Sequence, residues 1–251
     1  MIKRMNCLLF TIILLVVSGC TQRPEAVVHK ADALPDSLLN INAVYTVMYK
    51  DRIQAESIVR FLEEEGRASR FELERAKADI HYNYMEFGEA LAIYERLYQD
   101  SEVQSHPEQT MQVLESIVDA CDAIDNPGRK LEAVNALIQT AEEAGSLFYQ
   151  SIGYFQLGKT LYYQGEKARG IDLVQKGVDI MQYAGHPRRD HILHSELNVL
   201  ISLLANEGRL EEAYGAVTQN ERLLRSMDPV NNNDLMIVLA KKANILVRLG
   251  R

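Results

Sequence analysis

The residues best placed for chemistry lie in His186-Pro-Arg-Arg-Asp190-His191-Ile-Leu-His194. His191 and His194 are three apart, so a helix would put both imidazoles on one face, with Asp190 beside them. Imidazoles at that spacing can ligate a transition metal. No His-Glu-x-x-His pattern and no second ligand cluster accompanies them. The segment therefore reads as the start of a helix, with Asp190 where a carboxylate suits the dipole. Glu63-Glu64-Glu65 and Glu142-Glu143 are carboxylate runs of the kind that solvated helix faces carry. The sequence has no Gly-rich phosphate loop, no Gly-x-Ser-x-Gly elbow and no Cys-x-x-Cys. These residues do not set up an acid/base pair, so no enzyme, cofactor or metal is expected.

Charge narrows the partners. The formal net charge is −8, and loss of Lys3 and Arg4 with a cleaved leader would take it to −10. Binding a phosphate backbone requires clustered Lys and Arg, and no basic stripe is present. Direct nucleic-acid binding is not expected. The chain is 47% apolar and 25% charged, proportions that allow a folded core. Trp is absent and there are only 6 Pro, so long helices are easily accommodated.

The N-terminus reads as an address. Residues 1–20 are MIKRMNCLLFTIILLVVSGC, a basic start followed by an apolar run over 8–17. That run is shorter than the ~20 residues of a confident membrane span. The order resembles a lipoprotein signal peptide, and Val17-Ser18-Gly19-Cys20 resembles its lipobox. The resemblance implies cleavage of residues 1–19 and acylation, palmitate included, on Cys20. It implies a lipid-anchored protein of the bacterial cell envelope, facing the periplasm, with inner or outer membrane left open. The alternative is an uncleaved anchor in which Cys20 is incidental. Of the other two cysteines, Cys7 would leave with the leader and Cys121 would have no partner, so no internal disulfide is expected. Residues 20–40, with Pro24 and Pro35, read as a lipidated tether.

The rest of the chain reads as helices. Residues 41–66 form one long amphipathic helix, or two with an unmarked break, ended by Gly66. Residues 67–251 then repeat themselves. The clearest unit is Tyr154-Phe-Gln-Leu157-Gly158-Lys-Thr-Leu161, with Gly165 and Gly170 after it. Turn positions at Met85, Gly128, Gly165, Gly208 and Gly250 are spaced 43, 37, 43 and 42 apart. Seven residues before each stand Ala78, Cys121, Gly158, Ile201 and Ala243, and five after stand Ala90, Ala133, Gly170 and Ala213. A small residue on the first helix lets its backbone approach the second, and a turn glycine supplies positive φ. Cys121 then reads as a buried structural thiol. Pro107, Pro187 and Pro229 suggest second helices about one turn longer in repeats one, three and four. Gly145 ends the shorter second one. Ile201 suggests a wider hairpin in repeat four.

The unit at Tyr154 resembles the tetratricopeptide repeat (TPR), whose spacing is aromatic, two residues, Leu-Gly, two residues, large residue, then a turn. The usual period is 34 and this one is near 42. The resemblance implies an all-α fold, a right-handed TPR-like helical-hairpin solenoid of four to five repeats. It also implies that helix A of each repeat lines a concave groove where a protein or peptide partner lies. Carried onto this chain, the groove stripe comprises Asp79, Tyr82 and Asn83; Asp122, Asp125 and Asn126; Phe155, Lys159, Tyr162 and Tyr163; and Asn198, Ser202 and Asn206. Tyr offers contact area at low entropy cost, with a polar handle. The alternatives are capping of helix A by Asn83, Asn126 and Asn206, and repeat-to-repeat packing by the tyrosines.

The final stretch, LMIVLAKKANILVRL at 235–249, is strongly apolar, and the fifth repeat is expected to be incomplete, leaving an uncapped helix as a possible contact. The whole layout resembles the N-terminal sensor part of bacterial membrane-tethered TPR regulators. That implies a protein-protein interaction module, sensor or scaffold, in an envelope regulatory system. The alternative is a scaffold lipoprotein of an outer-membrane or pilus assembly.

Overall fold

The computed structural model describes Pro35 and residues 39–251. Residues 1–19 and Cys20, with most of the tether, lie outside the described residues. No described helix is long and apolar enough to cross a membrane.

Residues 41–66 form two helices rather than one. α1 (Ile41–Val47) and α2 (Arg52–Glu64) are separated by Asp51, whose extended backbone and carboxylate cap α2 at Gln54 N. Gly66, at φ +62°, ends α2 with Arg67 N–H returning to Leu62 O. α1 and α2 fold back on each other and both pack on α3 (Arg70–Asn83). Ser69 and Glu72 form a reciprocal capping box at the start of α3, satisfying two otherwise unpaired N–H groups.

Four hairpins follow, each an A helix and a B helix. α3 pairs with α4 (Phe87–Tyr98), after which comes the short α5 (Ser101–Gln104). α6 (Pro107–Ala123) pairs with α7 (Pro127–Glu143), and α8 (Leu147–Tyr163) with α9 (Lys167–Met181). α10 (Arg189–Asn206) pairs with α11 (Leu210–Ser226), and α12 (Asn232–Arg248) packs on α11. From α6 onward each helix packs on the next, which gives a solenoid.

The hairpin turns share one construction. Positive φ falls at Met85, Asp125, Gly165, Gly208 and Gly250. In each case the next N–H returns to a carbonyl five residues back: Glu86 to His81, Asn126 to Cys121, Glu166 to Leu161, Arg209 to Leu204 and Arg251 to Leu246, at 2.9–3.0 Å. This is the Schellman arrangement, which satisfies carbonyls left over at the helix end. The second turn is therefore Asp125, and the expected Gly128 lies inside the first turn of α7. The spacing becomes 40, 40, 43 and 42. Register moves with it: Val118 and Lys130, not Cys121 and Ala133, take the small-residue positions of repeat two. Cys121 is buried all the same, and burial pushes its thiol pKa up.

Helix lengths also differ from expectation. α7 is as long as α11, 17 residues each, while α4 has 12 and its surplus residues form α5. The longer period thus comes mainly from 17-residue A and B helices.

Close packing centres on α8 and α9. A Cβ on Gly158 would lie 2.6 Å from both Gly170 O and Val174 N, and one on Gly170 would lie 2.6 Å from Tyr162 N. The two glycines bring the backbones of α8 and α9 against each other. The core splits in two at α3. Leu73, Ala76 and Ile80 face α1 and α2, while Ala78 belongs to the larger core that runs on to Ile245.

Candidate functional site

The A helices are stitched side by side through polar side chains. Tyr149 on α8 donates to Glu108 on α6 (3.2 Å), and Lys241 on α12 donates to Asn198 on α10. Arg75 on α3 donates to Gln112 on α6. With Ser151 on α8 lying 3.2 Å from the Glu196 carboxylate on α10, these links place α3, α6, α8, α10 and α12 on one face, which holds two recesses.

The first recess, about 410 Å³, lies between α6 and α8 and is lined by Asp122, Asp125, Asn126, Lys130, Lys159 and Tyr163. Asp122 accepts from Lys130 Nζ at 2.6 Å and faces Lys159 Nζ at 3.8 Å. Burial alone would raise the Asp122 carboxyl, but the two lysines hold it below its ordinary value. Burial and the neighbouring Lys130 lower the Lys159 ammonium, whose Nζ also lies 5.6 Å from the Phe155 ring centroid. Asp119, one turn before Asp122, belongs to this cluster and was not expected. The residue is exposed, with Glu115 one turn before it on α6.

The second recess, about 490 Å³, lies between α10 and α12 and includes Tyr163, His194, Asn198, Ser202, Asn206 and Lys241. Tyr163 therefore stands on the ridge between the two, 74% exposed. Its ring meets Tyr162 edge-on at 5.4 Å.

The structure sorts the expected stripe into two groups. Asp122, Asp125, Asn126, Lys159, Tyr163, Asn198, Ser202 and Asn206 line the recesses. Phe155 and Tyr162 are buried beneath them, and Tyr162 donates to Glu207 at 2.8 Å. Asp79 is engaged elsewhere, accepting from Tyr94 OH on α4 at 2.5 Å. Tyr82 is half-buried against Phe87, 5.1 Å between centroids. Asn83 donates to Met48 O at 3.0 Å, satisfying the end of α1 rather than of its own helix. Asn126 accepts from Arg129 N, so it caps the start of α7, not the end of α6.

His186 and His194 also find structural work. Asp190 lies in the first turn of α10, as the helix-start reading expects. His186 stacks on Phe148 at 3.7 Å, and burial with Arg188 nearby lowers its pKa. Arg188 reaches across α8 to Glu115 on α6 through two bonds of 3.0 and 2.8 Å, its guanidinium 5.0 Å from the Phe148 ring centroid. This strap borders the face at one end. Buried His194 bonds Asn220 Oδ1 through Nδ1 (2.8 Å) and Asn198 Nδ2 through Nε2 (3.2 Å). Among the described residues no group of three His, Cys, Asp or Glu is arranged to hold a metal.

What remains is a face of paired charges, amides and one exposed ring. A close small-residue hairpin at Gly158 and Gly170, five matching turns and consecutive packing decide the architecture. The fold is a tetratricopeptide-like α-α solenoid.

Solved structures agree. A Signal Transduction ATPase with Numerous Domains protein with a tetratricopeptide repeat sensor, from Pyrococcus horikoshii, matches at TM-score 0.67 and 16% identity. The match covers 84% of this chain and 33% of that one, so this chain spans about a third of that protein's length. TPR-like repeats of a kinesin light chain from Podosopora anserina match at TM-score 0.55 and 14% identity, over 72% of this chain and 87% of that one. NprR, solved with its cognate peptide NprX, matches at TM-score 0.54 and 11% identity, over 84% and 61%. No family model and no curated protein matches the sequence.

Proposed function

We propose that this TPR chain is a membrane-anchored interaction module that binds a protein or peptide on its A-helix face, as the sensor or scaffold part of an envelope regulatory system. The observation that carries the reading is Tyr163. A large ring, 74% exposed, stands between two polar recesses on the side where A helices meet. Exposed aromatics flanked by polar groups are the residue type that dominates binding energy at interfaces. The peptide complex of NprR and the TPR sensor of the signal-transduction ATPase lend support by analogy of fold.

Anchoring rests on the sequence around Cys20. In this reading acyl chains on Cys20 hold the solenoid at the membrane surface, facing the periplasm. The test is fractionation of cells expressing the full chain. Cys20→Ala should move the protein out of the membrane fraction, and its retention there would sink the anchor.

Crosslinking of the full chain in an envelope extract tests the face. A partner captured by the native protein and lost with Tyr163→Ala is expected. Capture indifferent to that change would move the site elsewhere. Tyr162 is not a useful target, because its burial would confound folding with binding.

A second reading, scaffold of an envelope assembly, is favoured by one observation. Met236, Ala240, Ala243 and Val247 form an exposed stripe on α12, with Met236 at 69% and Val247 at 74%. Ala243 stands where Gly158 stands in α8, on the side that receives a B helix. Substituting Ala243→Glu should then abolish co-purification while Tyr163→Ala spares it.

A further inference from the structure

α12 has two apolar faces, and the fold uses one of them. Val238 and Ile245 are buried in the core where α12 packs on α11. The opposite side carries Met236, Ile237, Ala240, Ala243 and Val247, all exposed. Spacings of three and four put them on one stripe about three turns long. Among them on that side stands one polar residue, exposed Asn244, and no charged one. A surface helix ordinarily turns charge outward, so a stripe of this kind marks a contact.

The stripe is self-complementary. Met236, Ala240, Ala243 and Val247 follow one another at intervals of four, three and four, large at the ends and small in the middle. Turned about a two-fold axis between Ala240 and Ala243, a second α12 runs antiparallel to the first. Met236 then meets Val247 of the second copy, and Ala240 meets its Ala243. The alanines let the two backbones approach, as Gly158 and Gly170 do between α8 and α9.

Charge fits the same axis. Arg248, in the last turn of α12, donates to Ala205 O at 2.8 Å and has no carboxylate within 4.0 Å among the described residues. Asp234, in the first turn, accepts from Asn231 Nδ2 and faces His194 at 3.6 Å, with no Lys or Arg within 4.0 Å among the described residues. Both stand on the same flank of the stripe, on either side of the axis and nearly equally far from it. The two-fold turn brings Arg248 of each copy beside Asp234 of the other, and sets each helix N-terminus against a C-terminus. A parallel pairing would set Arg248 on Arg248 and Asp234 on Asp234.

We propose that the exposed stripe of α12 is a homodimer interface, on which a second copy of this chain docks its own α12 antiparallel about an axis between Ala240 and Ala243. The inference rests on the scaffold reading in that it names the occupant of the same stripe. The contact is isologous and closes at two copies. One helix from each side buries on the order of 1,000 Å² in all, the low end of specific interfaces, so the dimer exchanges with monomer.

Sedimentation equilibrium of the detergent-solubilised full chain over a concentration series should show monomer and dimer. Ala243→Glu and Ala240→Lys each set like charges across the axis and should each weaken pairing about ten-fold or more. Mixed together, the two variants should pair again, because the introduced ammonium of one chain faces the introduced carboxylate of the other. Both positions are exposed, so native melting curves at concentrations where the chain is monomeric separate lost pairing from lost folding. Cysteine crosslinking between differently tagged chains reads the register. Met236→Cys mixed with Val247→Cys should crosslink above the level of the parent chain, and Val247→Cys alone should not. A monomer at every concentration, no recovery on mixing, or crosslinking of Val247→Cys to itself overturns the proposal. A monomeric chain that captures an envelope protein, with capture lost in Ala243→Glu, would remove the second copy and leave the scaffold reading standing. A dimer of the expected register without such capture would keep the inference and remove that reading.

Discussion

Two neighbouring hairpins of the solenoid pack in opposite ways at the same repeat position. In α8–α9, Gly158 lets backbone meet backbone, and a Cβ there would sit 2.6 Å from Gly170 O and Val174 N. In α10–α11 the equivalent residue is Ile201, 1% exposed, and a side chain fills the space between the helices. The first hairpin spends its contact on proximity and carries two glycines more, Gly153 and Gly177, with close neighbours. The second holds a buried polar pair, His194 and Asn220, and opens toward the Lys241 recess. The middle of the solenoid is thus a tightly fitted hub, and the α10–α12 end is where polar groups are gathered. One helical period can set backbone against backbone or a side chain between helices, depending on which residue stands at the crossing.

The sharpest way to break this comparison is to place one side chain at the shared position in three helices. Gly158→Leu forces a side chain into backbone atoms that cannot turn away and should cost about 3 kcal/mol or more of stability. Ile201→Leu keeps volume and should cost less than about 1.5 kcal/mol. Ala243→Leu, on the exposed side of α12, should stay within about 0.5 kcal/mol. Urea unfolding midpoints would measure all three. Similar losses at Gly158 and Ala243 would mean that Ala243 is packed as closely as Gly158 and that the contrast does not hold.

Much of this was legible from sequence, because glycine marks the turns. Gly165, Gly208 and Gly250 fall where positive φ is needed, and Met85 follows from their spacing. The second turn was not legible. Asp125 takes the left-handed conformation that glycine usually fills, and Gly128, three residues on, drew the register to itself. Lys130 deepened the error. A buried lysine is unexpected where the other repeats have Ala90, Gly170 and Ala213, and only Asp122 across the hairpin makes it tolerable. At the candidate site the structure brings part of the stripe to the two recesses and engages the rest elsewhere. Spacing places residues on a helix face, but it does not show which carboxylate is already taken, as Asp79 is by Tyr94. Lys241 was hidden inside an apolar run, since its acceptors Asn198 and Ser202 lie on α10, far away in sequence.

The junction between the two regions gives a pH-dependent test. Glu196 on α10 is 1% exposed and lies 3.2 Å from Ser151 Oγ on α8 through either carboxylate oxygen, while Ser151 donates to Gly177 O at 2.7 Å. Burial pushes the Glu196 carboxyl up to about 8, against the smaller opposing influence of the Ser151 hydroxyl beside it. The folded value lies above the ordinary 4.5, so the folded state holds the proton more tightly. This stabilisation is full below about pH 4.5 and is lost as pH rises through about 8. Its contribution to the slope is at most about 1.4 kcal/mol per pH unit. Melting temperatures of Glu196→Gln, compared with the native chain from pH 5 to 9, should show the variant gaining as pH rises. A constant difference across that range would refute the assignment.

A smaller effect separates the N-terminal module from the hub. Asn83→Ala removes the donor to Met48 O and should cost about 1 kcal/mol. Hydrogen exchange should locate the change in α1 and its junction with α3, with α8–α9 amides unmoved. Spread of the loss into α8–α9 would show that the two cores, which meet at α3, open as one unit.

The smallest stability effect should accompany the largest effect on binding. Tyr163 is exposed and touches chiefly Tyr162, so Tyr163→Ala should shift the unfolding midpoint by no more than about 0.5 kcal/mol. If the ridge is where a partner docks, the same change should weaken capture by about 2 kcal/mol, roughly thirty-fold. Tyr162 supplies the contrast one residue away. Its hydroxyl bonds Glu207, and Lys167 lies over its ring, so Tyr162→Ala should lower stability first and binding only as a consequence. Adjacent tyrosines on one helix would then report separately on packing and recognition. A Tyr163→Ala protein that unfolds as easily as Tyr162→Ala would erase that distinction and return the exposed ring to the fold.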